Sequence, residues 1–330
     1  MFKYIVIFFG LKVENNFLKK FFSGIAFTTF SVFFIQMVLN LWFENHLLVI
    51  ALKLFISIFV LSIILSFIFL IKFSKNIIDF YQELESLANE NSVKLDLKFW
   101  TVIALFIYLL HIIIDFNILY KDTIFNKVFK IIKMTKKIRL SASLFTIYGI
   151  GWFFAVQWIY FEFRNKFYAI IENYLNSLKA TNSVEDFKPT VDELISAQKT
   201  IHQLIHFQSL LAKYIDFIQC FTIFLNISLY SIFVCLFKNI SDNNMNELLA
   251  DFLTLFSTSF VYFIGTQIIL LTKRHLIKSV FKELEKWLKF KDDSELSVDL
   301  QVLMRSANLF LYGFPVEYKV NFNPNNNNNV

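Results

Sequence analysis

The sequence predicts an all-α protein that is built from membrane-spanning helices. Of its 330 residues, 56% are hydrophobic and only 18% are charged, whereas a soluble domain carries about 25% charged residues. The apolar segments are continuous, without the alternation of a β-barrel, and 6 glycines and 3 prolines are too few for the turns of many short strands. The predicted fold class is therefore a polytopic helical membrane protein.

Six segments have close to the ~20 apolar residues that a helix needs to cross a bilayer. They are residues 21–43, 47–73, 99–120, 140–163, 214–237 and 252–272. Only Glu44, Asn45 and His46 separate the first two, which predicts a tight helical hairpin. A cytoplasmic segment 1–20 precedes this membrane domain of residues 21–272, a cytoplasmic helical link 164–213 lies within it, and a tail 273–330 follows it.

The distribution of basic residues predicts a cytoplasmic N-terminus. With that orientation, 23 of the 32 Lys and Arg residues lie on the cytoplasmic side and 8 on the outer side, as the positive-inside rule favours. The remaining one, Lys53, lies near the outer end of the second span, and we expect its side chain to extend outward to the lipid headgroups. The sequon Asn239-Ile240-Ser241 then lies on the outer side, where it could be glycosylated.

One loop on the predicted outer side carries a ladder of basic residues at nearly every third position. Its members are Lys127, Lys130, Lys133, Lys136 and Arg139, and mostly apolar pairs stand between them. Two interpretations of this basic ladder stay open. An amphipathic helix at the headgroups would let the lysines reach water, and a voltage sensor would move them in the membrane field.

Two cytoplasmic segments have the periodicity of helices that continue a neighbouring span. Thr190-Val191-Asp192-Glu193 is a capping box, and the apolar residues after it recur at helical spacing into the fifth span. After the sixth span, residues 276–288 form an apolar stripe that starts with Leu276 and Ile277, beside a second stripe of lysines. We expect these two extensions to pack together beneath the membrane, within one subunit or between subunits.

Motifs for catalysis or cofactor binding do not occur in the sequence. It has no phosphate-binding loop, dinucleotide-binding turn, metal-binding cysteine pair or nucleophile elbow, so we expect neither an enzyme nor a cofactor. Cys220 and Cys235 lie 15 residues apart in one span, too far for a disulfide. His202 and His206 lack the glutamate of a zinc protease, and we interpret them as polar surface residues. The net charge of +6 is expected to meet anionic lipids rather than nucleic acid.

Polar and aromatic residues in the outer halves of the spans are the candidate ligand-binding residues. Polar groups are costly in lipid, so they tend to face a cavity or another helix. His111 and Asp115 lie four residues apart in the third span, and they either line the pocket or pair with each other. The candidate set, which would form a small pocket open to the outside, is His111, Asp115, Tyr148, Trp152, Asn226, Tyr230 and Thr258, with Ser257 beside it.

The C-terminal region carries the residues that most resemble a known family. Leu300–Met304 (LQVLM) and Asn308–Phe314 (NLFLYGF) are similar to the approach to the seventh span of insect gustatory receptors. The layout of the chain also resembles the gustatory and odorant receptor superfamily, with a cytoplasmic N-terminus, a short first outer loop, a long cytoplasmic link before the fifth span and helical extensions of the inner spans.

This resemblance implies a tetrameric, tastant-gated cation channel of the plasma membrane. Tastants would bind in the outer halves of the spans, the cytoplasmic extensions would form the anchor between subunits, and a seventh helix would line the pore. Pro315–Tyr318 stands where that helix is expected to begin, and residues 321–329 contain too few apolar residues to cross a membrane. We therefore expect six of the seven helices, as in a truncated gene model, a pseudogene product or a subunit with full-length partners.

Three other classes of membrane protein compete with this interpretation. A transporter would need helices that are broken by glycine or proline, and Gly149-Ile150-Gly151 in the fourth span is the candidate. A voltage-gated channel would use the basic ladder, but no selectivity-filter sequence lies between the last two spans. A G-protein-coupled receptor would place its N-terminus outside, against the charge distribution.

Overall fold

The computed structural model describes residues 16–41, 47–90, 102–103, 105–110, 113, 139–182, 191–242 and 246–290. All of these residues are helical, which confirms the all-α fold class over the part of the chain that is described. The long helices are α1 (Asn16–Leu41), α2 (Leu47–Glu90), α3 (Arg139–Asn182), α4 (Val191–Leu210), α5 (Asp216–Asp242) and α6 (Asn246–Phe290), and a π-helical turn, Leu211–Ile215, joins α4 to α5.

Several helices are much longer than a membrane span. Helix α2 continues to Glu90 and α3 to Asn182, past the predicted span ends at residues 73 and 163. The predicted helix that starts at Val191 is confirmed, because α4, the π turn and α5 form one unbroken rod up to Asp242. The predicted helical continuation of the sixth span is also confirmed, because α6 runs to Phe290.

Two of these segments are apolar enough, and long enough, to cross a membrane. They are Leu47–Asn89, which is nearly all of α2, and Lys199–Lys238, which contains the π turn and most of α5. The other four predicted spans and the cytoplasmic N-terminus stay predictions. The basic ladder up to Lys136 and the C-terminal segment 300–314 lie outside the described residues.

The bundle is organised around α2 and α3. Helix α2 packs on α1, α3 and α5, and α3 also packs on α6. Aromatic rings fill the contact between α1, α2 and α3, where Phe67 lies 5.6 Å from Phe30 and 4.8 Å from Trp152 between ring centroids. Edge-to-face pairs of this kind contribute about 0.5–1.5 kcal/mol beyond the area that they bury.

Lys53 corrects one expectation from the sequence. Its side chain does not extend outward, because the residue is only 2% exposed. Lys53 shares its face of α2 with Val60 and Phe67, which follow it at helical spacing and are both fully buried against the neighbouring helices. The position of a lysine near the end of an apolar run predicts its depth, but not which face of the helix carries it.

The unbroken course of α3 removes the main support for a transporter. Helix α3 passes through Gly149-Ile150-Gly151 without interruption. Gly151 serves close packing instead, because a Cβ atom there would lie 3.1 Å from the hydroxyl oxygen of Tyr108. The ring of Tyr108 also meets Phe154, one turn further along α3.

The two helical extensions, at the start of the α4–α5 rod and at the end of α6, make contacts with other helices. Phe207 of α4 lies 5.8 Å from Phe80 of α2 between ring centroids. Lys273 of α6 interacts with Glu172 of α3. In the apolar stripe of α6, Leu276 is 50% exposed whereas the adjacent Ile277 is buried. A contact between the extensions of different subunits stays a prediction.

Candidate functional site: a buried polar cluster between α2, α3 and α5

The ligand-binding residues that the sequence predicts are only partly brought together. His111 and Asp115 lie outside the described residues. Tyr148 is half-buried and interacts with Tyr108. Trp152 is fully buried between α2 and α3, where its indole Nε1 donates a hydrogen bond of 2.8 Å to Ser66 Oγ.

The remaining candidates lie on α5 and α6. Tyr230 is 54% exposed at the bundle surface, and its ring lies 5.6 Å from that of Phe256. Asn226 donates a hydrogen bond to the backbone of its own helix, and Thr258 does the same. Trp152 is buried whereas Tyr230 is exposed, and the outer pocket stays a prediction.

The histidine pair on α4 fits its interpretation as surface residues. His202 and His206 are both exposed. Among the described residues, no group of three or more His, Cys, Asp or Glu side chains could hold a metal ion.

A network that the sequence did not predict surrounds Glu162 of α3. Trp158, Glu162 and Lys166 follow one another at four-residue spacing, so all three lie on the face of α3 that meets α2. The Glu162 carboxylate accepts hydrogen bonds from Trp158 Nε1 at 2.6 Å and from Tyr81 Oη at 2.7 Å. Lys166 Nζ donates to Tyr81 Oη at 2.6 Å and lies 3.7 Å from Glu162 Oε1.

A second network joins α3 to α4 and α5 through Arg164. The guanidinium is fully buried and bonds Asp216 Oδ1 through both Nε, at 3.0 Å, and Nη2. Its Nη1 donates to Gln208 Oε1 at 3.2 Å. Gln208 is in the last turn of α4 and Asp216 is the first residue of α5, so this one arginine holds the two sides of the π turn.

The π turn itself is tied to α2. Asn76 Nδ2 donates a hydrogen bond of 3.0 Å to Tyr214 Oη, and the ring of Tyr214 lies 5.5 Å from that of Phe73. A π-helical turn has poorer hydrogen bonding than an α-helix and occurs mostly as a single turn, often at functional sites. Here it is enclosed by contacts from both α2 and α3.

These residues form what we call the inner polar cluster. Its members are Asn76, Tyr81, Trp158, Glu162, Arg164, Lys166, Gln208, Tyr214 and Asp216. The formal charges of its two carboxylates and two cations cancel, as buried charges require, because an unpaired buried ion is very costly.

The electrostatics of the cluster favour the charged arginine and the neutral tyrosine. Burial by itself would lower the pKa of the Arg164 guanidinium. The attraction of Asp216, with smaller contributions from Tyr168 and Tyr160, is larger than this effect and raises the pKa above its ordinary value. Burial and then the charge of Glu162 raise the pKa of the Tyr81 hydroxyl. Tyr81 therefore keeps the proton that it donates to Glu162.

Part of the cluster could have been predicted from sequence patterns. Glu162 and Lys166 have the four-residue spacing of a helical ion pair, and Asp216 is an acidic residue inside a predicted span. Their partners Tyr81, Gln208 and Tyr214 come from distant parts of the chain, and nothing in the local sequence marks them.

The fold and this cluster define a helical bundle that buries the charged side chains of Glu162, Arg164, Lys166 and Asp216 and exposes many large apolar side chains on its outer surface. No protein-family model, curated protein or solved structure matches the chain.

Proposed function

We propose that this chain is a multi-pass protein of the plasma membrane with six spans and a cytoplasmic N-terminus, and that it acts as a gustatory-type chemosensory receptor, a subunit of a ligand-gated cation channel. The membrane part of the proposal is supported by the surface of the bundle, and the receptor part by the resemblance described above.

The exposed positions of α2 change abruptly from apolar to polar along the helix. Five consecutive exposed positions within the predicted span are apolar: Leu54, Ile58, Leu61, Leu65 and Ile68. The exposed positions that follow are all polar or charged: Lys72, Lys75, Asn76, Asp79, Gln82, Glu83, Ser86 and Asn89. A soluble protein rarely exposes so long an apolar stripe, whereas a lipid-facing helix requires one.

The rod formed by α4, the π turn and α5 shows the same change in the opposite direction. Its exposed positions are first polar: Lys199, His202, Gln203, His206, Ser209 and Lys213. They then become apolar or aromatic: Phe217, Phe224, Ile227, Tyr230, Val234 and Phe237. This change falls within two residues of the predicted start of the fifth span at residue 214.

The two changes lie at one level in space, and this is the observation that carries the proposal. The ring of Phe69 on α2 lies 4.7 Å from that of Phe217 on α5. One turn further along, Phe73 meets Tyr214. The agreement between two separate parts of the sequence supports a boundary between lipid and cytoplasm at this height, directly beside the inner polar cluster.

At that boundary, the hydrogen bonds and ion pairs of the cluster hold the helices together. The cluster connects the ends of three predicted spans to the cytoplasmic extensions, which the resemblance assigns to the anchor between subunits. Binding of a tastant in the outer halves would shift a closed and open equilibrium by its difference in affinity for the two states. Membrane lipids and other subunits, as a homo- or hetero-tetramer, are the further partners of this proposal.

Among the alternatives, a transporter is disfavoured because α3 is unbroken at its glycines. A voltage-sensitive channel subunit depends on the basic ladder, whose members up to Lys136 lie outside the described residues. Neither alternative gains an observation from the bundle.

The receptor proposal is tested by calcium imaging of cells that express the chain and are exposed to a panel of sugars, bitter compounds and amino acids. At least one class of tastant should evoke an influx that untransfected cells lack. Asn226→Leu should abolish this influx at unchanged surface expression, and His206→Ala, on an exposed cytoplasmic face, should retain it. A panel without any response, alone and with a co-expressed full-length receptor, would contradict the receptor assignment.

A further inference from the structure

Five buried side chains on α3, α5 and α6 have polar atoms that no described residue satisfies. Asn165 is 6% and Gln157 3% exposed, and Asp216, Gln219 and Tyr262 are each 2% exposed. The atoms without a hydrogen-bond partner among the described residues are both amide atoms of Gln157, Asn165 Oδ1, Asp216 Oδ2, Gln219 Oε1 and Tyr262 Oη. Buried polar groups are almost always paired with protein or with ordered water.

Contacts between the helices place Gln157, Asp216, Gln219 and Tyr262 where α3, α5 and α6 meet. The ring of Tyr262 on α6 lies 5.6 Å from that of Phe154 on α3, and Gln157 follows Phe154 by about one turn on the same face. Gln219 of α5 donates a hydrogen bond of 3.4 Å to Gln267 of α6.

Asp216 completes the group from the side of α5. It bonds Arg164 of α3 through Oδ1, and Gln219 follows it by three residues, so both lie on one face of α5. Gln157, Asp216, Gln219 and Tyr262 thus all lie at the contact of α3 with α5 and α6, and we call this group the polar seam.

The unpartnered atoms of the polar seam would be satisfied by a small molecule that both donates and accepts hydrogen bonds. Asp216 Oδ2 and Gln219 Oε1 are acceptors only, so their partner must be a donor. Gln157 and Tyr262 can do both. A metal cation suits the seam poorly, because the charge of Asp216 is already balanced by Arg164.

We propose that the polar seam is a hydration site, in which water molecules bind between α3, α5 and α6 inside the bundle. Water has two donors and two acceptors, and buried waters in proteins typically make two to four hydrogen bonds to groups of this kind. The proposal depends on the contacts of the bundle alone and not on the receptor assignment. The bound waters would connect the contact of α3 with α6, in the outer half of the bundle, to the inner polar cluster.

Radiolytic hydroxyl-radical footprinting of the full chain in lipid nanodiscs tests this site. Radicals generated from bound water oxidise the side chains next to it, even when those side chains are buried. Tyr262 should be oxidised at least three-fold faster than Tyr81 and Trp152, which are equally buried but have protein hydrogen-bond partners. Oxidation of Tyr262 at or below the rate of these two would overturn the proposal.

A variant pair sharpens the result. Gln157→Leu removes a partner for water beside Tyr262 and should reduce its oxidation several-fold, whereas Gln203→Leu, at an exposed position of α4, should not change it. Unchanged oxidation in Gln157→Leu would also overturn the proposal. The comparison within the wild-type chain stands even if that variant fails to fold, and neither result depends on a response to tastants.

Discussion

At the scale of the residue, the most consequential contact is the buried pair of Arg164 and Asp216. Both side chains are almost completely removed from solvent, and the guanidinium also holds Gln208. Burying two charges is costly, and their attraction repays that cost only while both partners are present. The pair is therefore a sensitive point of the fold, and it lies at the predicted edge of the membrane.

Removal of one partner should show this sensitivity. Arg164→Met leaves Asp216 buried and unpaired, so we expect a loss of about 3–5 kcal/mol in the free energy of unfolding. The double variant Arg164→Met with Asp216→Leu should recover most of the lost free energy of unfolding. Steric-trap unfolding in bicelles measures both, with the exposed Lys199→Met as the control, which should stay within about 0.5 kcal/mol. A loss in Arg164→Met no larger than in the control would refute this role.

Tyr81 should give the protein a defined sensitivity to alkaline pH. Because the folded state raises the pKa of this hydroxyl above its ordinary value of 10.0, the folded chain retains the proton at a pH where the unfolded chain has lost it. The stabilisation is therefore complete below about pH 10 and declines as the pH rises further.

Phenolate absorbance at 295 nm checks this expectation. Between pH 10 and 11, the folded wild type and folded Tyr81→Phe should show the same increase, whereas the increase of the unfolded wild type should exceed that of the unfolded variant by about two fifths of the full change of one tyrosine. A difference between the folded proteins would mean that Tyr81 titrates normally.

Two glycines offer a matched comparison of packing. A Cβ atom at Gly265 would meet nothing within 4 Å, whereas one at Gly151 would lie 3.1 Å from Tyr108 Oη. Gly265→Ala should therefore raise the free energy of unfolding by about 0.5–1 kcal/mol, the usual gain within a helix. Gly151→Ala should gain less or lose stability, because Tyr108 must move. Equal gains for the two variants in the same unfolding assay would contradict the close approach of Tyr108.

At the scale of the element, the rod of α4, the π turn and α5 shows what local sequence can and cannot predict. The capping box before Val191 and the spacing of Ile201 and Leu204 predict both the start of the helix and its buried face. The π turn has no local signal of this kind. It follows from contacts that Arg164, Asn76 and their partners make across the bundle.

The π turn should hold the one residue by which the rod exceeds a regular α-helix. Deleting Ala212 would let this turn become α-helical while the buried faces of α4 and α5 stay nearly in phase, because a single π turn takes up one extra residue. Gln208 and Asp216 should then both still reach Arg164, and we expect a loss of about 1 kcal/mol, similar to that of Ala212→Gly, which keeps the π turn. A loss of several kcal/mol for the deletion in steric-trap unfolding would show that the π turn itself is required.

At the scale of the whole molecule, the sequence predicts the fold class and the long helical extensions, because apolar length and helical periodicity are local properties. It does not predict the inner polar cluster, whose members are brought together from α2, α3, the end of α4 and the start of α5. The burial of Lys53 was missed for a related reason, since hydropathy gives the depth of a residue but not the direction that it faces. The outer pocket was predicted from the depth of its residues in the membrane alone. For that reason it includes both Trp152, which is buried, and Tyr230, which is exposed.

The central claim is that the changes from apolar to polar surface on α2 and on the α4–α5 rod mark one face of a lipid bilayer. Electron paramagnetic resonance of nitroxide labels in liposomes measures this directly. The labels are placed at Leu65, Ile68, Lys75 and Asp79 of α2 and at Lys213 and Phe224 of the rod, after Cys220 and Cys235 have been replaced by alanine. We predict that labels at Leu65, Ile68 and Phe224 are accessible to oxygen and shielded from a water-soluble nickel chelate, and that labels at Lys75, Asp79 and Lys213 show the reverse. Equal access of the nickel chelate to all six labels would contradict the claim.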